Sequence, residues 1–539
     1  MYTWTSLPSQ RHTRLVQLCP SDSFDKPIEC SIITTTIDEP CKYRALSYAW
    51  GDIQQDGSHL SATIHCDGKP MRVTQHLNMA LKRIRASTKT WYRKLPVWVD
   101  AISIAQDDPE EKAQQVLMIS KIFGKCRHLT IWLGELGTRE EDGLCCRMAT
   151  KYQQWEDEGT EVELDTSEQA FLSTVLERSW FQRRWIIQEV LVANTSGLTP
   201  YFRVGGHGWN WPFMVYIVEK SGRSRARDRF LPLVQRMVND NLIPGPFATA
   251  RNSARDLLDA SGRPLYNSII ETLHMFEDAK CYDPRDRLYA LLSMGWGPEK
   301  LSVNYTASVE DVYTDFAMRL LQATSDDFLP AILASASCRH DKRPSEPQRL
   351  PSWVPDWQIA ARYASKTHEV TVKRCISQVS RDPSYQFNGE ARSLRGSSAL
   401  ILHDVSLFSP CDHMPSELVA TCGFCCLRRL CGTSTVRVEG ACDHYSSSKE
   451  DCEDCRLVNP LGAHAIQELV SLSTGKVIGW LPKSQMALVL RPTDSRLPCK
   501  TESYVIDQCL LVPPRDSAIS VASHLDAQRA LPRCEVAIV

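Results

Sequence analysis

The chain has 539 residues, 43% of them hydrophobic and 23% charged, an ordinary globular composition with length for about two to four domains. Its 62 basic and 64 acidic residues are mixed along the sequence and leave a net charge of −2, so no general attraction to nucleic acid or to an anionic membrane is expected. No apolar run approaches the ~18 residues of a membrane helix, and the start MYTWTSLPSQRHTR lacks a signal-like apolar core, so a soluble cytoplasmic protein with reduced thiols is expected despite 21 cysteines.

The short segments 28–37, 43–48 and 62–66, the first and last of them β-branched, are predicted strands, the last followed by a turn at Asp67-Gly68. Thr74 is placed to cap a helix whose Leu77, Leu81 and Ile84 share one face. Residues 97–104 (VWVDAISI) are predicted to form a buried strand. Next, Asp107-Asp108-Pro109-Glu110-Glu111 combines a side-chain cap, proline at the first helical position and acids in the first turn, which marks a helix start. Residues 128–134 return to strand character, and strand, helix and strand in succession argue for a βαβ unit in a mainly parallel sheet. A polar loop and surface helix over 135–165 and helical pattern over 167–193 follow. Residues 195–280 are less readable and partly helical, with a turn at Gly205-Gly206. Helices are expected at 288–294 and 309–321. Beyond Ala334 a Pro-, Ser- and Arg-rich linker leads to a β-rich tail.

Three blocks stand out. They are Tyr43 to Gly51 (YRALSYAWG), Trp98 to Asp107 (WVDAISIAQD) running on to Ile131-Trp132-Leu133-Gly134, and Trp180 to Glu189 (WFQRRWIIQE). In order and spacing they resemble the HET domain of fungal heterokaryon-incompatibility proteins. Asp283 to Leu291 (DPRDRLYAL), Val303-Asn304-Tyr305 and Leu350 to Trp357 (LPSWVPDW) are similar to segments that follow this domain in long members. Where such domains usually carry Cys-Ile-Asn-Gln, this chain has Ser103-Ile104-Ala105-Gln106, so one amide is missing. The resemblance implies a TIR- or flavodoxin-like α/β fold with a mainly parallel sheet flanked by helices. It divides the chain into a HET domain at 1–195 (core 43–193), a mainly helical extension at 196–333, a linker at 334–400 and a Cys-rich, β-rich region at 401–539.

HET domains resemble TIR domains, some of which cleave NAD at the nicotinamide–ribose bond with a carboxylate from a Trp-x-x-x-Glu helix. The resemblance therefore makes Glu189 the expected catalytic carboxylate and NAD the expected substrate. A carboxylate suits an oxocarbenium-like transition state on ribose, where it stabilises charge or holds the hydroxyls. Ser47, Tyr48, Trp50, Gly51, Asp52, Asp100, Gln106 and Trp185 are the expected binding residues: tryptophan rings for stacking, backbone near Gly51 for phosphate, and polar groups at strand ends. The plainer meaning of Trp185 and Glu189, one helical turn apart, is a core tryptophan beside a glutamate paired to Arg183 or Arg184. Trp50 and Trp98 equally suit a core, and Asp100 a loop cap.

Eight cysteines fall between 411 and 455, including two C-x-x-C pairs, Cys422/Cys425 and Cys452/Cys455, with 26 residues between them. Structural zinc on those four is one expectation and free thiols the other. There is no P-loop, H-E-x-x-H or G-x-S-x-G. The expected function is non-self recognition leading to programmed cell death, triggered by self-association or by another incompatibility protein. The alternative is a non-catalytic scaffold that acts by clustering alone.

Overall fold

The computed structural model describes residues 1–38, 42–50, 60–87, 94–221, 268–293, 302–322, 328–338 and 350–358, together with the backbone of six strands between 389 and 538. The chain divides into two compact units, residues 1–296 with 302–307, and residues 297–301 with 308–539.

The first unit is built on nine strands: β1 (His12–Leu18), β2 (Glu29–Thr36), β3 (Arg44–Tyr48), β4 (Ala62–Cys66), β5 (Lys69–Val73), β6 (Val97–Trp98), β7 (His128–Trp132), β8 (Tyr201–Val204) and β9 (His207–Asn210). Their order is β5-β4-β2-β1-β6-β3-β7-β8-β9. Both neighbours of β3 run parallel to it, with Tyr48 opposite Trp132 and Ala45 opposite Trp98, and β8 runs parallel to β7. All five residues of β3 are buried, as a strand covered on both faces requires.

The sheet is mixed, which corrects the expectation of a mainly parallel one. The pairs β1–β2, β1–β6, β4–β5 and β8–β9 are antiparallel. Two-residue connections such as Asp67-Gly68 (φ 47° and 74°) and Gly205-Gly206 leave no room for the crossover that parallel strands need.

Helices cover the sheet: α1 (Gln75–Arg85), the single turn α2 (Asp100–Ser103), α3 (Pro109–Lys125), α4 (Arg139–Glu158), α5 (Thr166–Leu176), α6 (Trp185–Thr195), α7 (Trp211–Lys220), α8 (Ile269–Met275) and the short α9 (Asp286–Tyr289). The caps fall where the sequence places them. Thr74 Oγ1 accepts from Leu77 N, and Asp108 accepts from Glu110 N and Glu111 N with Pro109 first in the helix. Leu77, Leu81 and Ile84 of α1 pack with Val16, Leu46, Ile64 and Val99 in one core. Helix α3 is tied to β1 by a buried chain in which Trp98 Nε1 donates to Thr13 Oγ1 (3.0 Å) and Thr13 to Gln115 Oε1 (2.8 Å).

Two local expectations fail. The strand predicted at 97–104 ends at Trp98. Ser103 Oγ accepts from Val99 N (3.2 Å), and Ser103 N donates to Val99 O (2.8 Å), which bends the chain into α2. A short apolar run serves a buried turn as well as a buried strand, so periodicity could not separate them. The helix predicted at 288–294 is the four-residue α9, followed by turns to residue 293.

Cys30 and Cys66, cross-strand partners on β2 and β4, bring buried thiols within 3.1 Å as a hydrogen bond, and the described cysteines form no disulfide. The second unit contains α10 (Val309–Gln322) and α11 (Leu329–Ser337) and a sheet of six strands, β10 (Gly389–Leu394), β11 (Ser397–Phe408), β12 (Val477–Leu481), β13 (Met486–Pro492), β14 (Ser503–Leu511) and β15 (Arg533–Ile538), in that order.

Candidate functional site

Parallel strands β3 and β6 are paired neighbours, β3 running on to Tyr48 past the end of β6 at Trp98, and ligands of open α/β sheets bind beyond the carboxyl ends of such strands. Just past β3, Trp50 turns its indole to Asp100, the second residue after β6 and the first of α2, with Nε1 donating to Oδ2 (2.9 Å). Asp100 also accepts from Ala101 N (2.7 Å), while Gln106 Nε2 donates to the Asp100 carbonyl (2.9 Å). Above them lies a cavity of about 410 Å³, within the range of small-molecule sites.

Glu189 enters this cavity from α6. It lies on the helical face of Trp185, one turn earlier, and is 6% exposed. Its carboxylate accepts a hydrogen bond from the Ser47 hydroxyl on β3, whose oxygen accepts from Trp180 Nε1 (2.7 Å). A buried indole thus orients a serine that in turn orients the glutamate. Arg183 stands between the acids, 4.0 Å from Glu189 and 3.9 Å from Asp100, and donates to the Tyr48 carbonyl. The plainer reading of Glu189 contained part of this geometry: the arginine partner is real, but the pair lines a cavity.

Burial pushes the Glu189 carboxyl above the usual carboxylate range; Arg183 and the Ser47 hydroxyl pull it back, and Asp100 pushes it up again. Asp100 is raised for the same first reason and lowered by Arg183 and by the Trp50 N–H. Tyr48 is buried in the cavity wall beside Asp100, and its hydroxyl makes no well-formed hydrogen bond with the described residues. Burial holds its proton on, with Asp100 adding to the effect.

Because Arg183 lowers both carboxyls, Arg183→Ala is expected to raise both and to leave two desolvated acids facing each other. A folded-state pKa above the unfolded value means protons are taken up on folding, so the loss is greatest at neutral pH and shrinks as pH falls toward the ordinary carboxylate range. Urea unfolding should register a loss of about 2–3 kcal/mol near pH 7, toward the low side for removing one member of a buried pair because these contacts are long. An equal loss at about pH 5.5 would remove the electrostatic explanation.

The far wall comes from a segment beyond the third block. Arg184 N donates to Lys280 O (2.8 Å), Lys280 N to Gln182 O (2.6 Å), and the buried Arg184 side chain holds Phe276 O and Arg287 O. This stitching places Asp286 against Trp185, whose Nε1 donates to Oδ2 (3.0 Å), while Tyr305 Oη donates to Oδ1 (2.7 Å). Burial raises the Asp286 carboxyl to about 6. Lys112 lies over the Tyr305 ring at 4.3 Å and lines the same cavity with Lys280.

The cavity therefore gathers Tyr48, Trp50, Asp100, Gln106, Trp185 and Glu189 from the sequence-derived set, and Ser47 stands directly behind Glu189. Gly51 and Asp52 lie outside the described residues, as do Cys422, Cys425, Cys452 and Cys455. No group of metal-ligating side chains occurs among the described residues, and metal analysis of the purified protein decides the zinc expectation. Arg183, Lys112, Asp286 and Tyr305 were not singled out as site residues. Asp286 and Tyr305 belong to segments noted only for their resemblance, and nothing local in the sequence signals that they meet Trp185.

Fold and site define an α/β domain with a carboxylate-lined pocket at the carboxyl ends of parallel strands. Residues 43–189 match the family described as "Heterokaryon incompatibility protein (HET)", and the chain carries a HET domain. A relative, "Heterokaryon incompatibility protein 6, OR allele" of Neurospora crassa, is 26% identical over 416 residues, covering 65% of this chain and 59% of that protein. No solved structure matches the chain. Among the described residues no helix is long and apolar enough to cross a membrane.

Proposed function

We propose that this chain is a heterokaryon-incompatibility signalling protein of the cytoplasm, with a TIR-like N-terminal domain and a β-rich C-terminal region. Clustering, by self-association or by another incompatibility protein, switches on NAD cleavage and commits the cell to death. The observation that carries the reading is the buried Glu189 carboxylate, held by Ser47 and facing a cavity lined also by three tryptophans, Trp50, Trp98 and Trp185, and three cationic side chains, Lys112, Arg183 and Lys280.

The chemistry needs little more. The bond from ribose C1′ to the nicotinamide nitrogen breaks, its electron pair leaves with nicotinamide, and the pyridinium charge is neutralised. Water adds to C1′ and gives up a proton, so the products are nicotinamide and ADP-ribose. Glu189 acts in its ionised form, where it stabilises positive charge developing on the ribose ring or fixes the ribose hydroxyls. Arg183 helps keep it ionised against the cost of burial. The rings of Trp50 and Trp185 suit the flat ends of the dinucleotide, and the cations suit its pyrophosphate.

The test is nicotinamide release from NAD by the concentrated or artificially clustered full chain, wild type against Glu189→Gln. Release by wild type alone supports the reading. Cell toxicity that persists in a folded Glu189→Gln variant assigns the activity to self-association instead.

A further inference from the structure

The HET match ends at residue 189, yet the cavity does not. One side is closed by residues 280–286 and by Tyr305, held by the Arg184 and Lys280 backbone bonds described above. Within this wall Asp286 is unusual. It is 8% exposed, accepts from two neutral donors, the Trp185 indole and the Tyr305 hydroxyl, and has no ion pair among the described residues. Neutral acceptors hold a tryptophan at lower cost, because a buried carboxylate without a cation pays desolvation for a bond that an amide oxygen also makes. The first bond holds the indole at its nitrogen, the second holds Asp286 in place, and Trp185 lines the cavity one helical turn from Glu189.

We propose that Asp286 is a positioning residue which, with Tyr305, locks Trp185 as the ring-binding wall for a heteroaromatic end of the dinucleotide. The clamp, Asp286 and Tyr305, is supplied by the chain beyond the matched HET segment. The ligand assignment rests on the NAD reading above; the clamp itself does not. Asp286 touches no reacting atom, so its removal weakens ring packing and leaves the Glu189 chemistry in place.

The experiment uses the full chain as wild type, Asp286→Asn, Asp286→Ala, Trp185→Phe and the double variant Asp286→Ala/Trp185→Phe. With NAD as substrate, Asp286→Ala is expected to raise KM about three- to tenfold, the worth of one ring contact, with kcat within about twofold. Asp286→Asn recovers most of the loss because its amide oxygen still accepts from the indole. In the Trp185→Phe background, removing Asp286 adds less than about twofold, since the two residues act as one unit.

The Trp185 indole N–H resonance, assigned by its disappearance in Trp185→Phe, gives a readout free of turnover. It should move in Asp286→Asn, a variant that keeps the side-chain shape. If wild type releases no nicotinamide, the NAD reading falls and this resonance alone decides the clamp. A resonance unmoved in folded Asp286→Asn, or losses from Asp286 and Trp185 that simply add, overturns the proposal.

Discussion

Glu111→Ala is expected to cost about 3–5 kcal/mol of folding stability, the scale for breaking a buried ion pair by removing one partner. Glu111 lies in the first turn of α3 and is 8% exposed; Arg14 on β1 is 1% exposed. The guanidinium grips both carboxylate oxygens at 2.6 and 2.8 Å, a bidentate geometry, and also donates to Ser103 O (3.1 Å) and Thr5 O (2.5 Å). The same carboxylate accepts from Ala105 N (2.8 Å). One glutamate therefore joins the first strand, the N-terminal segment and the loop after α2, and its loss leaves Arg14 charged and buried. Urea unfolding checks the magnitude, and Glu111→Gln should lose less because the amide keeps one acceptor. A loss below about 1 kcal/mol in Glu111→Ala would mean that Arg14 finds other partners or water.

This network also answers the missing amide of the second block. Ala105 offers only its backbone, and Glu111 takes it, while Gln106 holds Asp100 O. The loop is fixed without an asparagine.

Glu189→Gln should reduce nicotinamide release by about 10²–10³-fold, the range for deleting a group preorganised toward developing charge. Its stability cost should stay within about 1 kcal/mol, because the amide oxygen can still accept from Ser47 and a neutral group no longer resists burial. Rate and stability separate here, which makes the variant informative. Glu189→Ala would also open a void beside Ser47 and mix the two effects.

Much of the first unit is legible in the sequence because local chemistry writes it. Thr74, Asp108 and Pro109 mark helix starts by side-chain geometry alone, and the short segments predicted at 43–48 and 62–66 become strands within a residue of their expected limits. The helical spacing of Trp185 and Glu189 puts both on one helix face, and both line the cavity. What stays hidden is set by tertiary partners. The four-residue strands β8 and β9 are too short to declare a period. Arg14 and Glu111 lie 97 positions apart, and Trp185 and Asp286 lie 101 apart; no spacing rule links them. The sequence offers Arg183, with Arg184, as a pairing partner for Glu189, and its place between two acids emerges only once parallel β3 and β6 bring Asp100 to the same cavity.

The most direct measurement of the central claim is nicotinamide release from NAD by the clustered full chain, with wild type and Glu189→Gln compared at equal folded concentration. The account predicts release by wild type and its near-complete loss in a Glu189→Gln protein of unchanged unfolding midpoint. Equal release by both, or none by clustered wild type, would contradict it.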